Sequence, residues 1–192
     1  MQTSTEQLFT EARTARAFVE TPVSDDTLHQ LYELLKFGPT ASNCCPARFV
    51  FVRTATQRER LAQCVSAGGN QAKVRNAPVT VVIGMDMAFY EQLPRLFPHV
   101  DARSWYAGKP DVIRHEALRS SSLQAAYLII AARALGLDAA PMGGIDAAKM
   151  DAEFFAGTQV KSHMVCCLGH ADHSVQRPRS SRLAFDEACR LA

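Results

Sequence analysis

Residues 78–84 read PVTVVIG, a run without the alternation of polar and apolar side chains that lets a strand leave one face to water. A strand of this kind has to be covered on both faces, so the chain needs packing layers on either side of a sheet. HMVCCLG at 163–169 is a second buried run, FVFV at 49–52 is a third strand, and LDAA at 137–140 is short and strand-like. Between them lie helices. In DDTLHQLYELLKF, Leu28, Leu31, Tyr32 and Leu35 recur at i, i+3, i+4 and i+7. Ser24 stands as N-cap, with Asp25 and Asp26 in the first turn and Gly38-Pro39 as terminator. Residues 120–135, SSSLQAAYLIIAARAL, are apolar almost all round, which predicts a central helix stopped by Gly136. Further helices are predicted over about 56–65 and 146–155. Residues 86–115 have no period and two prolines around RLF, which points to a helical excursion covering a site. This order predicts an α+β or α/β layered fold in a single domain spanning 1–192.

Composition narrows the function classes. A net charge of +2, with arginines dispersed along the 192 residues, is too weak a field for nucleic acid and points to a small anion. The N-terminal MQTSTEQLFTEARTAR has no apolar core of a signal peptide, and AAYLIIAA is too short to span a bilayer. The expectation is a cytoplasmic protein with no membrane partner, whose six cysteines are thiols. The vicinal pairs Cys44-Cys45 and Cys166-Cys167 suit neither disulfides nor a Cys-x-x-Cys metal site, so buried structural thiols and no metal are expected. No Gly-x-Gly-x-x-Gly, Walker or Gly-x-Ser-x-Gly motif is present, which removes the usual support for Rossmann dinucleotide binding, P-loop chemistry and serine hydrolysis.

What remains is a set of separated groups that together suit a phosphorylated, planar, polar ligand. Arg13, Thr14 and Arg16 would offer two guanidinium forks and a hydroxyl within one helical turn. Asn70 and Lys73 would share a helix face, and Arg179 and Arg182 repeat that spacing near the end of the chain. Gly143 and Gly144, after Met142, permit close backbone approach to a flat ring. Each charged pair alone fits a solvated surface cluster better than a ligand, and the glycines fit an ordinary turn equally well; the groups point to a ligand only jointly.

Taken in order, ARTAR, GPTASNCCPARF, NQAKVRNAPVTVVI, SSLQAAYLIIAARALGLDAAPMGG and RSSRL resemble the nitroreductase family of flavoproteins over almost the whole chain. Within it, FYEQLPRLFPHVDARSW and SRLAFDEAC are similar to the branch that reduces malonic semialdehyde to 3-hydroxypropanoate in pyrimidine degradation. The resemblance implies a nitroreductase-like α+β fold with a central mixed sheet around a long buried helix. It also implies an intertwined homodimer with FMN at the subunit interface and NAD(P)H as electron donor. Arg13, Thr14, Arg16, Asn70, Lys73, Met142, Gly143, Gly144, Arg179 and Arg182 would hold FMN, while Pro39, Thr40, Ala41 and Asn43 would be donated by the second subunit. Gly143 stands where many relatives have glutamate, and Ala47 where they have an aromatic. Hydride chemistry is assigned to flavin N5, with no catalytic side chain.

The acceptor implied is a small aldehyde, whose carboxylate would need a cation: Arg103 and Lys109 first, with Arg114 and Arg119 beside them. A broad nitroarene, quinone or enal reductase on the same flavin, and a flavin-free binding homodimer, are the alternatives.

Overall fold

The computed structural model describes residues 4–192; residues 1–3, which open the domain assigned from the sequence, lie outside the described residues. After a helical turn at Glu6–Thr10, the elements are α1 (Asp25–Leu35), β1 (Ala47–Val52), α2 (Ala55–Ala62), α3 (Gly69–Asn76) and β2 (Val79–Asp86). There follow α4 (Leu93–Leu96), α5 (Pro110–Ala134), β3 (Asp138–Met142), α6 (Ala147–Phe154), β4 (Val160–Gly169) and α7 (Phe185–Ala188). The strands form one sheet in the order β1-β2-β4-β3, and every neighbouring pair is antiparallel. The mixed character expected of the sheet is therefore confined to one parallel bridge, Thr14 with Ala139, on the outer edge of β3.

β2 shows why its run lacks alternation. Val79, Val81 and Ile83 pack with Leu28, Leu31 and Leu35 of α1 and Leu128 of α5. Val82 points the other way, to Leu61 of α2, Val74 of α3 and Met150 of α6. Each such fully buried aliphatic side chain contributes about 1.5–3 kcal/mol. A bulge between Ile83 and Gly84 brings β2 against its neighbours, and a Cβ at Gly84 would fall 2.3 Å from Val160 Cγ1. α1 begins as predicted, with the Ser24 hydroxyl accepting from the Thr27 N–H at 3.1 Å.

α5 departs from expectation. It starts at Pro110, ten residues before Ser120, so the excursion ends near residue 109. Its buried face runs through Ile113, Ala117, Gln124, Leu128 and Ala132, but Leu118, Leu123 and Tyr127 on the other side are exposed. The turns over 110–119 do not read as helix because their buried stripe includes Glu116, which reads as a surface residue. The excursion keeps its own small core of Phe89, Leu93, Ala102 and Tyr106, packed on Ile113 and Cys44.

Cys166 faces the α1 and α5 layer, whereas Cys167 faces α2, α3 and α6, so the vicinal pair is split by the pleat. All six cysteines are free. Burial pushes the thiols of Cys44 and Cys167 up to about 11, and that of Cys166 further. A group so raised stays protonated and unreactive at neutral pH. Titration of the native protein with a disulfide reagent at pH 8 should therefore modify exposed Cys189 quickly and half-buried Cys45 slowly. The other four should appear only in denaturant.

Candidate functional site

The outer edge of β3 organises the site. Ala15 donates its backbone N–H to the Ala139 carbonyl at 3.1 Å, which lays the chain around Thr14 along the strand and bends it at Arg16 rather than forming the helical turn expected. The C-terminal segment, without regular secondary structure over 176–184, returns to the same place. Arg179 Nη2 donates to the Thr10 and Ala12 carbonyls at 2.6 and 2.8 Å, and Arg13 donates to the Arg177 carbonyl. The two segments enclose a cavity of about 390 Å³ whose walls include Arg13, Arg16, Arg133, Arg177, Arg179 and Arg182 and no carboxylate.

Two atoms there lack partners. Arg133 Nε and Gln176 Oε1 are buried and make no hydrogen bond among the described residues, although Arg133 Nη1 reaches the Leu8 carbonyl and Gln176 Nε2 the Thr14 carbonyl. Burial holds the Arg133 guanidinium below its ordinary pKa. Neither residue is conspicuous in sequence: Arg133 reads as the last polar residue of an apolar helix and Gln176 as a loop residue. An arginine in the last turn of a buried helix was the available signal for the first.

Further along β3 the polypeptide passes from Met142 to Gly144. Met142 is buried in the core, so only its backbone can face a ligand. The Ser66 N–H and hydroxyl both donate to the Gly144 carbonyl, at 2.9 and 3.1 Å, and Asn70 Nδ2 donates to the Ser66 hydroxyl at 2.9 Å. Asn70 is thereby tied to the glycine pair through a residue the sequence did not single out. Lys73, on the same helix, is half-buried with no ion pair or hydrogen bond among the described residues, near enough to Cys167 to oppose in part the effect of burial on that thiol. From Ala139 to Met142 the strand covers about 10 Å at about 3.3 Å per residue, and the glycine pair follows just beyond its end. One end of this line is cationic; the other offers an amide, an ammonium and free backbone.

The loop from Pro39 to Asn43 lies elsewhere. It precedes β1, at the opposite edge of the sheet, three interstrand spacings or about 14 Å away. Ser42, Asn43 and Cys45 have φ of 49°, 52° and 41°, left-handed values that cost a non-glycine residue about 1–2 kcal/mol each. Side chains hold it in place. Ala41 N–H donates to Ser120 Oγ at 3.3 Å, Cys45 N–H to Thr40 Oγ1 at 3.1 Å, and Asn43 Nδ2 to the Leu96 carbonyl at 3.0 Å. Ser120 in turn donates to Glu116 Oε1 at 2.5 Å.

Of the four substrate cations expected from sequence, Arg103 and Arg119 are ion-paired, while Lys109 and Arg114 have no carboxylate partner among the described residues. Arg103 makes a bidentate pair with Glu91 at 2.7 and 2.8 Å, Lys109 Nζ donates to the Ser104 and Trp105 carbonyls, and Arg119 pairs with Glu116. A larger crevice of about 990 Å³ beside Phe18 and Phe51 holds none of the expected site residues, and its Arg53 and Arg75 are paired with Asp25 and Glu59. The smaller cavity, with its unpaired cations, is the better anion site. No group of His, Cys, Asp and Glu among the described residues could hold a metal ion, and no described helix is long and apolar enough to cross a membrane.

The described residues of this two-sided α+β domain thus hold an arginine-lined cavity at one end of an edge strand and a glycine pair beyond the other. The chain belongs to the Nitroreductase family, whose profile matches residues 10–170. It is 57% identical over 186 residues to a protein of Ralstonia nicotianae that carries the provisional name NADH dehydrogenase/NAD(P)H nitroreductase, covering 97% of this chain and 95% of the relative. A Stutzerimonas stutzeri protein of the same provisional name is 58% identical over 185 residues, covering 96% and 94%. Among solved structures, a Bacillus subtilis nitroreductase superposes with a TM-score of 0.88 at 25% identity, over 96% of this chain and 97% of that one. An Exiguobacterium sibiricum protein solved with FMN gives 0.86 at 20% identity, over 100% and 99%.

The residues present fit such a mononucleotide. A phosphate monoester meets guanidinium donors with no competing carboxylate, and the orphan Gln176 acceptor and Arg133 donor match a polyhydroxylated chain and its phosphate.

The glycine pair supplies a direct check. A Cβ at Gly144 would stand 2.4 Å from Ser66 Oγ and 3.3 Å from Asn70 Nδ2, whereas one at Gly143 would meet nothing within 4 Å. Gly144→Ala should lower stability by about 1–2 kcal/mol in denaturant melts through loss of the Ser66–Asn70 contact, and Gly143→Ala should leave the midpoint unchanged.

Proposed function

We propose that this chain is an FMN-dependent NAD(P)H oxidoreductase acting as a homodimer, with malonic semialdehyde as acceptor. The observation that carries the flavin part is the acid-free cavity of six arginines lying in line with Lys73, Asn70 and the Gly143-Gly144 backbone. When bound, FMN supplies a ring that takes a hydride from NAD(P)H and passes it to the acceptor. The net reaction consumes one NAD(P)H and one proton: the aldehyde carbon gains the hydride, its oxygen the proton, and 3-hydroxypropanoate leaves.

The chain's own residues do the rest. Arg13, Arg16, Arg133, Arg179 and Arg182 hold the phosphate, and Thr14 and Gln176 orient the ribityl chain. Lys73 offsets negative charge on the pyrimidine side of the ring when it is reduced. Gly143, without a side chain, leaves the ring edge open. Proton supply can come from water, so no general acid is required. The same cation cluster argues against a flavin-free binding dimer, because six arginines around one cavity repel one another unless an anion neutralises them.

The homodimer accounts for the Pro39 loop. The strained segment has no role at the β3 edge of its own chain, yet it is flanked by exposed apolar groups: Tyr32 and Phe37 beside α1, and Leu123 and Tyr127 on α5. Gly38 is seated on the Tyr127 ring, where a Cβ would come within 2.8 Å. Burying this face against a second copy would carry Pro39, Thr40, Ala41 and Asn43 to the neighbour's ring. A broad nitroarene, quinone or enal reductase is the second reading, favoured by the relatives' names and by the ion pair that neutralises Arg103.

The flavin reading is tested by comparing FMN with riboflavin, which lacks the phosphate. Fluorescence titration should give tight FMN binding that Arg182→Ala weakens at least tenfold, equivalent to about 1.4 kcal/mol, with riboflavin binding unaffected. Equal binding of the two flavins would remove the arginine cavity as the phosphate site. The dimer is tested by Leu123→Asp, which should yield a folded monomer by light scattering that no longer retains flavin; an intact dimer would show that the interface lies on another face.

A further inference from the structure

We infer that Arg95 selects acceptors carrying a carboxylate, and that it reaches the neighbouring copy's site together with the Asn43 loop. The inference rests on the reductase reading above. It replaces Arg103, whose charge is paired with Glu91, and Lys109, whose ammonium is turned onto two backbone carbonyls, with a guanidinium that makes a single bond to a neutral side chain.

α4 carries Arg95 on a short but anchored support: Leu93 is fully buried in the core of the excursion, and Pro94 fixes the first turn. The next residue, Leu96, accepts the hydrogen bond from Asn43 Nδ2 at 3.0 Å. Arg95 and the loop are therefore coupled through one contact, and any site that receives Asn43 receives Arg95 beside it. Arg95 lines a cavity of about 520 Å³ together with Cys45, two residues past the loop, and with Tyr32, Phe49 and Phe51.

Between the two cations that line this cavity, bonding partners single out Arg95. Arg48, in the same cavity, is tied to Asp86 at 2.5 Å and to two backbone carbonyls. Arg119 is taken by Glu116. Arg95 makes one bond, from Nη2 to the neutral Gln92 Oε1 at 3.3 Å, and has no carboxylate partner among the described residues. Arg114 also lacks a pair but stands on the exposed side of α5 and lines none of the three cavities. An aromatic wall with one unneutralised guanidinium matches a small organic acid: the chain of the acceptor packs on the rings and its carboxylate meets the fork.

The test uses the flavin-loaded holoenzyme and two acceptors of the same shape, 4-nitrobenzoate and 4-nitrobenzamide, differing in charge. Wild type should prefer the anion, and Arg95→Gln should lower kcat/KM for 4-nitrobenzoate about tenfold, mainly through KM, with 4-nitrobenzamide unchanged. Arg95→Lys should restore part of the preference, and Arg103→Gln should have no charge-selective effect. Equal losses on both acceptors, or no change in either, would overturn the role of Arg95 while leaving the reductase intact. Failure of wild type to oxidise NAD(P)H with either probe or with malonic semialdehyde would sink the reductase reading, and Arg95 with it.

Discussion

The pairing of the Arg13–Arg16 segment with the outer edge of β3 is the contact on which the site depends. Ala15 N–H to Ala139 C=O is one backbone hydrogen bond, yet it brings residues from the start of the chain onto the same strand edge that leads to Gly144. The C-terminal segment is fastened there in turn by Arg179 on the Thr10 and Ala12 carbonyls. Without this edge, the arginines of the two termini would be isolated surface charges. With it, they form a field of one sign that only an anion can relieve.

The sheet that provides the edge is buried on both faces, and this sets the division of labour. One layer, α1 with α5, packs on Val79, Val81 and Ile83 and presents exposed apolar groups outward. The other, α2, α3 and α6, carries Asn70 and Lys73 to the far end of β3. The excursion between β2 and α5 has its own core and is joined to the Pro39 loop through Asn43 and Leu96. Strain in that loop is maintained by bonds from Ser120, Thr40 and Leu96, which are worth about 0.5–1.5 kcal/mol each and together offset much of its left-handed backbone cost.

Much of this is legible along the chain. The strands at 79–86 and 160–169 announce themselves by continuous apolar character, and α1 by its spacing and its Ser24 cap. The start of α5 is not legible, since Glu116 is buried for the sake of a loop 75 residues earlier. Arg133 and Gln176 escape notice for a related reason: what marks them is a lack of partners in a closed space, a property no one-dimensional pattern encodes. The helical spacing read into Arg13–Arg16 and Arg179–Arg182 gives way because Thr14 bridges Ala139 and Arg179 reaches the Thr10 and Ala12 carbonyls, while Arg182 turns onto the Ser180 and Ser181 carbonyls beside it.

By itself the sequence determined which stretches must be buried and in what periodicity, because transfer of apolar side chains from water is a local, additive property. It also supplied the inventory of cations and glycines and the motif order that is similar to nitroreductases. Which cations remain available was decided only by the tertiary structure. Arg103 and Arg95 stand eight residues apart in similar surroundings, yet one meets Glu91 and the other only Gln92. Charge is written in the sequence; its neutralisation depends on distance, and distance is set by the fold.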